Sequence, residues 1–260
     1  MGNKELLVES SGGVCAITLN RPESMNALNL PTLEALAAIV AKLRVDRATR
    51  VVVITGAGEK AFCSGADLKE RATLTPDQVR RFITTVRNTF TAIEALPQPV
   101  IAAVNGLALG GGTELALACD LRVASDQASM GLTEVMLAII PGAGGTQRLP
   151  RLIGKGRAKE MIFTGRRVGA AEALSIGLVN RVVPAAGLMA STMELAGQML
   201  KAGPIALRQA KQAINQGCET DLTTGLLLET AAYEAVIPTR DRLEGLAAFR
   251  EKRKPLYTGE

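Results

Sequence analysis

The sequence predicts an α/β chain that turns wholly helical over its last quarter. Three observations predict it. Short β-rich apolar runs alternate with amphipathic helical patterns as far as about residue 187, the mark of parallel strands joined by crossover helices. Strand signals stop near Leu188, and the remainder reads as helices punctuated by Gly203-Pro204, Gly217 and Pro238. Aromatic residues make up 3% of the chain and Trp is absent, so Leu, Ile, Val, Ala and Met must build the core, which suits packed helices and buried parallel strands. Together these predict an α/β core over 1–187 and a helical region over 188–260.

The elements follow in order. Residues 5–19 read as a β-hairpin around Ser11-Gly12-Gly13. Leu33, Leu36, Ala37, Val40 and Leu43 recur at helical spacing behind Asn29, a capping residue. Val51–Thr55 is a short buried strand. Thr75-Pro76-Asp77-Gln78 is a capping box with proline in the first turn, opening a helix that runs to about Leu96, before Pro97. Pro99–Val104 is another buried strand, and shorter ones are predicted over 121–124 and 178–183.

Composition narrows the chemistry. The chain contains no histidine, which removes Ser-His-Asp and Cys-His catalysis and His-based metal or haem ligation. Acid–base work must fall to Asp, Glu, Lys, Tyr or Cys. Cys15, Cys63, Cys119 and Cys218 are widely spaced, with no zinc pattern, and read as free thiols in a reducing compartment. The start, Met-Gly-Asn-Lys-Glu-Leu, reads as neither a signal peptide nor an Arg-rich transit segment, and no apolar run reaches the roughly 18 residues of a membrane span, so a cytoplasmic chain, or a mature form already stripped of its targeting sequence, is expected, without membrane contact. A net charge of +5 is too diffuse to select a partner.

Asn105-Gly-Leu-Ala-Leu-Gly-Gly-Gly-Thr-Glu-Leu-Ala-Leu-Ala-Cys-Asp120 carries the most information. It leaves a buried strand, turns through Gly110-Gly111-Gly112 and enters an apolar helix. Unpaired N–H groups and the partial positive charge of such a helix start can hold a developing oxyanion, although tight strand–helix packing would also want glycines. Glu114, in the first turn of that helix, is expected to be buried. A buried carboxylate either finds a structural partner, as a helix cap or with Arg122, or has a raised pKa useful for proton transfer. Glu134 repeats the pattern twenty positions later, among apolar neighbours and ahead of the glycine-rich Pro141–Gly145 loop. Paired carboxylates suit general acid and base duty.

Phe62-Cys63-Ser64-Gly65-Ala66-Asp67 is a second candidate oxyanion loop beyond a strand. Cys63 has no base beside it and reads as a packed thiol rather than a nucleophile. Gly56-Ala-Gly-Glu-Lys-Ala61 matches a dinucleotide-binding pattern, but it runs into another glycine turn where that motif needs a helix.

These segments, with Asn20-Arg-Pro-Glu-Ser-Met-Asn-Ala-Leu28, resemble the enoyl-CoA hydratase/isomerase (crotonase) superfamily over essentially the whole chain. Gly65-Ala-Asp-Leu-Lys-Glu-Arg-Ala72, Ala210–Gly217 and Ile237–Gly245 are similar to its AU-binding methylglutaconyl-CoA hydratase group. The resemblance implies a spiral of ββα units, a C-terminal helical trimerisation region and a homotrimer or homohexamer. It implies an acyl-CoA substrate, with Ala66 and Gly111 N–H groups as the oxyanion hole, Glu114 as base on the water and Glu134 as proton donor to the α-carbon. It implies coenzyme A contacts at Met25, Ala27, Ser64, Ala66, Asp67 and Leu68, and at Phe249 and Lys252 of an adjacent subunit. No metal or tightly bound cofactor is implied, coenzyme A being part of the substrate. A carboxylate at both positions favours hydration over double-bond migration. The RNA-binding relatives have a lysine-rich first long helix, whereas Leu30–Arg44 offers only Lys42 and Arg44, which argues against specific RNA binding by that route. A carboxylated acyl group would want a cation, for which Lys69, Arg71 and Arg157 are available.

Overall fold

The computed structural model describes residues 4–260; the residues before Lys4, read above for targeting, lie outside the described part. The chain divides into two compact units, one of residues 1–96 and 100–193, the other of 97–99 and 194–260.

The first unit is a spiral of alternating strands and helices. It opens with a hairpin, β1 (Leu6–Ser11) against β2 (Val14–Leu19), turned by Gly12 and Gly13 at φ 56° and 84°. Positive φ at both turn positions is what glycine supplies without strain. The chain then passes through α1 (Leu30–Leu43), β3 (Val51–Gly56), β4 (Ala61–Cys63), α2 (Leu68–Arg71), α3 (Pro76–Glu94), β5 (Val100–Val104), β6 (Leu107–Leu109) and α4 (Gly111–Ala118). Next come β7 (Leu121–Ser125), β8 (Ser129–Gly131), α5 (Gly145–Ile153), α6 (Lys155–Thr164), β9 (Val168–Gly169), α7 (Ala170–Ser175) and β10 (Arg181–Val183).

Two sheets result. The larger has the order β1-β2-β3-β5-β7-β10, parallel from β2 onward, and the smaller the order β4-β6-β8-β9. The strand pairs β3–β4, β5–β6 and β7–β8 thus each place one strand in the large sheet and the next in the small one before a helix returns the chain. This is the ββα spiral that the resemblance implies. β3 and β5 are buried along their whole length, which explains their almost wholly apolar sequences; Thr55, the polar exception, donates its hydroxyl to the Ala103 carbonyl. Ile17, Leu33, Leu36, Ile54, Phe62, Phe90, Ile93 and Leu115 fill the core between sheet and helices.

The predicted caps form. Asn29 accepts from the Thr32 amide, and the Thr75/Gln78 box is complete in both directions. Other readings change. The strand predicted over 178–183 is confined to Arg181–Val183, because the Leu178 and Val179 amides both donate to the Ala173 carbonyl and close the end of α7 instead. The strands of the small sheet have two or three residues each, too short for any periodicity to announce them. The G-x-G-x-x-A segment opens no helix and leads directly into β4.

After β10 come α8 (Leu188–Met199), α9 (Pro204–Gly217), α10 (Leu222–Glu234) and α11 (Arg240–Arg250). The second unit, to which α9–α11 belong, is helical. Its tail folds back on α11: Asp241 accepts from the Thr258 and Gly259 amides at 2.7 and 2.9 Å, and Glu244 from the Leu256 amide at 2.8 Å. Among the described residues no helix is long and apolar enough to cross a membrane.

Candidate active site

The site is built where β6 turns into α4. Gly110 caps the helix at φ 50° and ψ −120°, a combination that strains any residue with a Cβ. A Cβ on Gly112 would collide with the Cys63 carbonyl, so α4 can lie against β4 only with glycine there. The same closeness brings Gly65 and Ala66 to the helix start. An ideal Cβ on Gly111 would stand 3.7 Å from the Ala66 nitrogen, and one on Gly65 would stand 3.2 Å from the Gly111 nitrogen.

The Ala66 amide is aimed by a short parallel bridge between Leu28 and Ala66. The Leu28 amide donates to the Gly65 carbonyl at 2.7 Å and the Asp67 amide to the Leu28 carbonyl at 2.9 Å. That alternation leaves the Ala66 N–H pointing away from the bridge. Among the described residues neither it nor the Gly111 N–H finds an acceptor. Two neighbouring free amides, one at a helix N-terminus, can hold a negative oxygen.

Glu114 is buried, 3% exposed. Its Oε1 accepts from the Ala143 amide at 2.8 Å and the Gly145 amide at 2.7 Å. Both donors belong to the Pro141–Gly145 loop, so Glu114 is neither a cap of its own helix nor the partner of Arg122. The Arg122 guanidinium is occupied by the Leu178, Ala116 and Cys119 carbonyls. Burial pushes the Glu114 carboxyl up from its usual range, while the two amides and the nearby Arg148 cation pull it back.

Glu134 opens a 3-10 turn, Glu134–Leu137, that leans over the start of α4. An ideal Cβ on Gly110 would stand 3.1 Å from Glu134 Oε1. The expected apolar burial around it is only partly realised: Met136, Leu137, Ile139 and Ile140 face outward, because a short turn has too few residues to form an inward face. Glu134 itself is half-buried, yet its Oε2 is sealed from solvent with no hydrogen-bond partner among the described residues. Burial, and next the charge of Glu114, push its carboxyl up to about 7. The two glutamates therefore act on each other, and their environments differ in one decisive respect. Glu114 has two donors that stabilise its charge, whereas Glu134 Oε2 has none.

The residues matched to coenzyme A contacts fall in two places. Met25 and Ser64 are joined backbone to backbone (Ser64 N to Met25 O, 3.0 Å), and Ala27, Ala66, Asp67 and Leu68 continue the same pair of segments. Met25 is in the left-handed region at φ 50°, and Leu68 is 56% exposed. Asp67 is less free than a ligand contact would be. It caps α2 and pairs with Arg21 at 3.0 Å, which holds its carboxyl below the usual range against the opposing effect of burial. Phe249, 86% exposed, and Lys252, at φ 55°, belong to the second unit. Cys63 is fully buried with its thiol pushed up to about 12, the state of a packed thiol. Arg71 stacks on Phe82 at 5.5 Å.

Sequence reasoning missed Ala143, Gly145 and Arg148 as parts of this site. The glycine-rich loop stood out, but nothing in it says that two of its amides would meet a glutamate thirty residues away.

The fold and the geometry describe an α/β spiral with two interacting carboxylates and two free amides at one helix start. The chain belongs to the enoyl-CoA hydratase/isomerase family, whose model matches residues 9–260. It is 57% identical to an enoyl-CoA hydratase from Bacillus anthracis of known structure, with a TM-score of 0.97 over 98% of this chain and 100% of that one. It is 48% identical to the human mitochondrial methylglutaconyl-CoA hydratase, over 98% of this chain and 76% of that protein. It is 44% identical to the short-chain-enoyl-CoA hydratase of Clostridium acetobutylicum, over 96% and 95% of the two chains.

Proposed function

We propose that this chain is an enoyl-CoA hydratase that adds water across the double bond of a 2-enoyl-CoA thioester, with Glu114 and Glu134 as its acid–base pair. The observation that carries the reading is the contrast between the two carboxyls. Glu114, held by two amides, stays charged and serves as base; Glu134, its Oε2 buried without a donor, holds a proton near neutral pH and serves as acid.

The chemistry follows from that division. The thioester carbonyl accepts hydrogen bonds from the Ala66 and Gly111 amides, which stabilise the enolate-like charge that develops as water attacks. As the water oxygen bonds to the β-carbon, its proton passes to Glu114, and Glu134 gives its proton to the α-carbon. Exchange with the next water restores both carboxyls. These groups suffice without a metal or organic cofactor, coenzyme A being part of the substrate.

The favoured substrates are short-chain enoyl-CoA and 3-methylglutaconyl-CoA, a choice supported by the names of the human and Clostridium relatives. The Met25–Leu28 and Ser64–Leu68 segments would hold the coenzyme, with Phe249 and Lys252 reaching it from an adjacent subunit. A homotrimer or homohexamer is supported by apolar side chains exposed on the second unit's helices, among them Ile214, Leu222 and Leu227.

The test is loss of the conjugated enoyl-thioester absorbance with crotonyl-CoA and 3-methylglutaconyl-CoA. Glu114→Ala and Glu134→Ala should each lower kcat by about 10²–10⁴-fold. Retention of most activity by Glu114→Ala would point to double-bond isomerisation and sink the hydratase reading.

A further inference from the structure

The Pro141–Gly145 loop that aims two amides at Glu114 is itself held by a side chain with no other evident task. Arg148, in the first turn of α5, folds back over the loop. Its Nη1 donates to the Ala143 carbonyl at 2.9 Å, the other face of the residue whose amide meets Glu114. Its Nε and Nη2 form a fork on Glu94 at the end of α3, at 3.1 and 2.7 Å, and Nη2 also reaches Thr91 at 3.4 Å. The Arg148 side chain is 14% exposed and that of Glu94 41%, so the fork is shielded on the arginine side and partly open to water on the glutamate side. Gly144 has φ 109°, and a Cβ there would collide with Arg148 Nη1; the loop is shaped to let the cation lie on it.

From this geometry we propose that Arg148, anchored by Glu94, is a positioning residue for Glu114. It clamps the loop so that the Ala143 and Gly145 amides both take Oε1 and leave Oε2 free for the water. The inference rests on the hydratase reading for its kinetic consequence, but its structural core does not.

The electrostatic surroundings agree. Beside α4 lie β7, whose Arg122 guanidinium is spent on the Ala116 and Cys119 carbonyls at the far end of the helix, and, packed more extensively, α3, α5, β4 and β6. They bring Arg148 from α5, Glu94 from α3 by way of Arg148, and the protonated Cys63 thiol from β4, while β6 brings no titratable group; Glu134 faces the site from its 3-10 turn. Arg148 is thus the cation acting on Glu114, and it favours the charged form.

The experiment uses the full chain in its native assembly, with Arg148→Met, Arg148→Lys and the half-exposed, milder Glu94→Gln. Arg148→Met should lower kcat on crotonyl-CoA by about 10²-fold, the cost of misplacing a catalytic group by roughly 1 Å, with KM changed less than twofold. Arg148→Lys should recover only part of that kcat, since lysine keeps the charge but not the fork. Independently of turnover, carbon-13 NMR of the glutamate carboxyls should show the Glu114 midpoint rising in Arg148→Met and largely restored in Arg148→Lys. If the unsubstituted protein hydrates no enoyl-CoA, the hydratase reading fails and the NMR midpoint alone decides the clamp. An unmoved Glu114 midpoint in Arg148→Met, or kcat within twofold of wild type, overturns the proposal. Should Arg148→Met not fold, Glu94→Gln decides in the same way, with a smaller shift expected and none overturning it.

Discussion

The cap of α4 and the second carboxylate confront each other: a Cβ on Gly110 would stand 3.1 Å from Oε1 of Glu134. Glycine there serves two needs, since its φ of 50° and ψ of −120° already exclude a side chain on backbone grounds. Gly110→Ala should therefore push Glu134 aside as well as strain the turn. We expect kcat to fall by one to two orders of magnitude, with about 1–3 kcal/mol of lost stability. Steady-state kinetics on crotonyl-CoA with a parallel thermal melt check this, and unchanged kcat in a destabilised protein would separate the backbone effect from the carboxylate.

The two carboxyls should give a bell-shaped dependence of kcat/KM on pH. The acid limb reports protonation of Glu114, above the ordinary carboxylate value because burial outweighs its amide donors. The alkaline limb reports loss of the Glu134 proton near 7. Glu114→Gln removes the charge that helps to raise Glu134, so the alkaline limb of its residual activity should move to lower pH. Profiles over about pH 5–9 decide this, and a limb that stays in place would mean the two groups do not sense each other.

Stability should carry the same signature with a definite sign. Below the unfolded value of 4.5, Glu134 is protonated in both states and costs nothing. Between 4.5 and about 7 the unfolded chain gives up its proton first, so folding stability falls as pH rises and then levels off. Glu134→Gln should consequently be more stable than wild type at pH 8, by about 1–2 kcal/mol after discounting for partial solvent screening, and equal to it near pH 4. Thermal melts at the two pH values test this; an equal offset at both would assign the change to packing.

Cys63 sits beside the oxyanion amides, yet its thiol is pushed up to about 12 by burial. Cys63→Ala should keep kcat within about threefold while costing about 1 kcal/mol for the lost sulfur. Iodoacetamide should leave native Cys63 unmodified, as peptide mass mapping would read. Abolished activity in a folded Cys63→Ala protein would restore the thiol as a candidate nucleophile.

What the sequence determined by itself is whatever local physics writes into consecutive residues. The Asn29 cap, the Thr75/Gln78 box, the fully buried β3 and β5, and the turn through Gly110–Gly112 were all legible, because each depends on backbone angles, period or burial within one element. So was Glu114 as a buried acid, since a lone carboxylate in an apolar helix start has nowhere else to go. Tertiary structure alone decided what met it. The Ala143 and Gly145 amides reach Glu114 across 29 and 31 positions, Arg148 reaches Glu94 across 54, and Leu28 aims Ala66 across a bridge of one residue pair. It also decided that Glu134 would lean on Gly110 while its apolar neighbours turned outward. Those contacts have no period and no local propensity. They exist because a large sheet and a second sheet of very short strands must close around one core, and closing it brings distant loops to the same helix end.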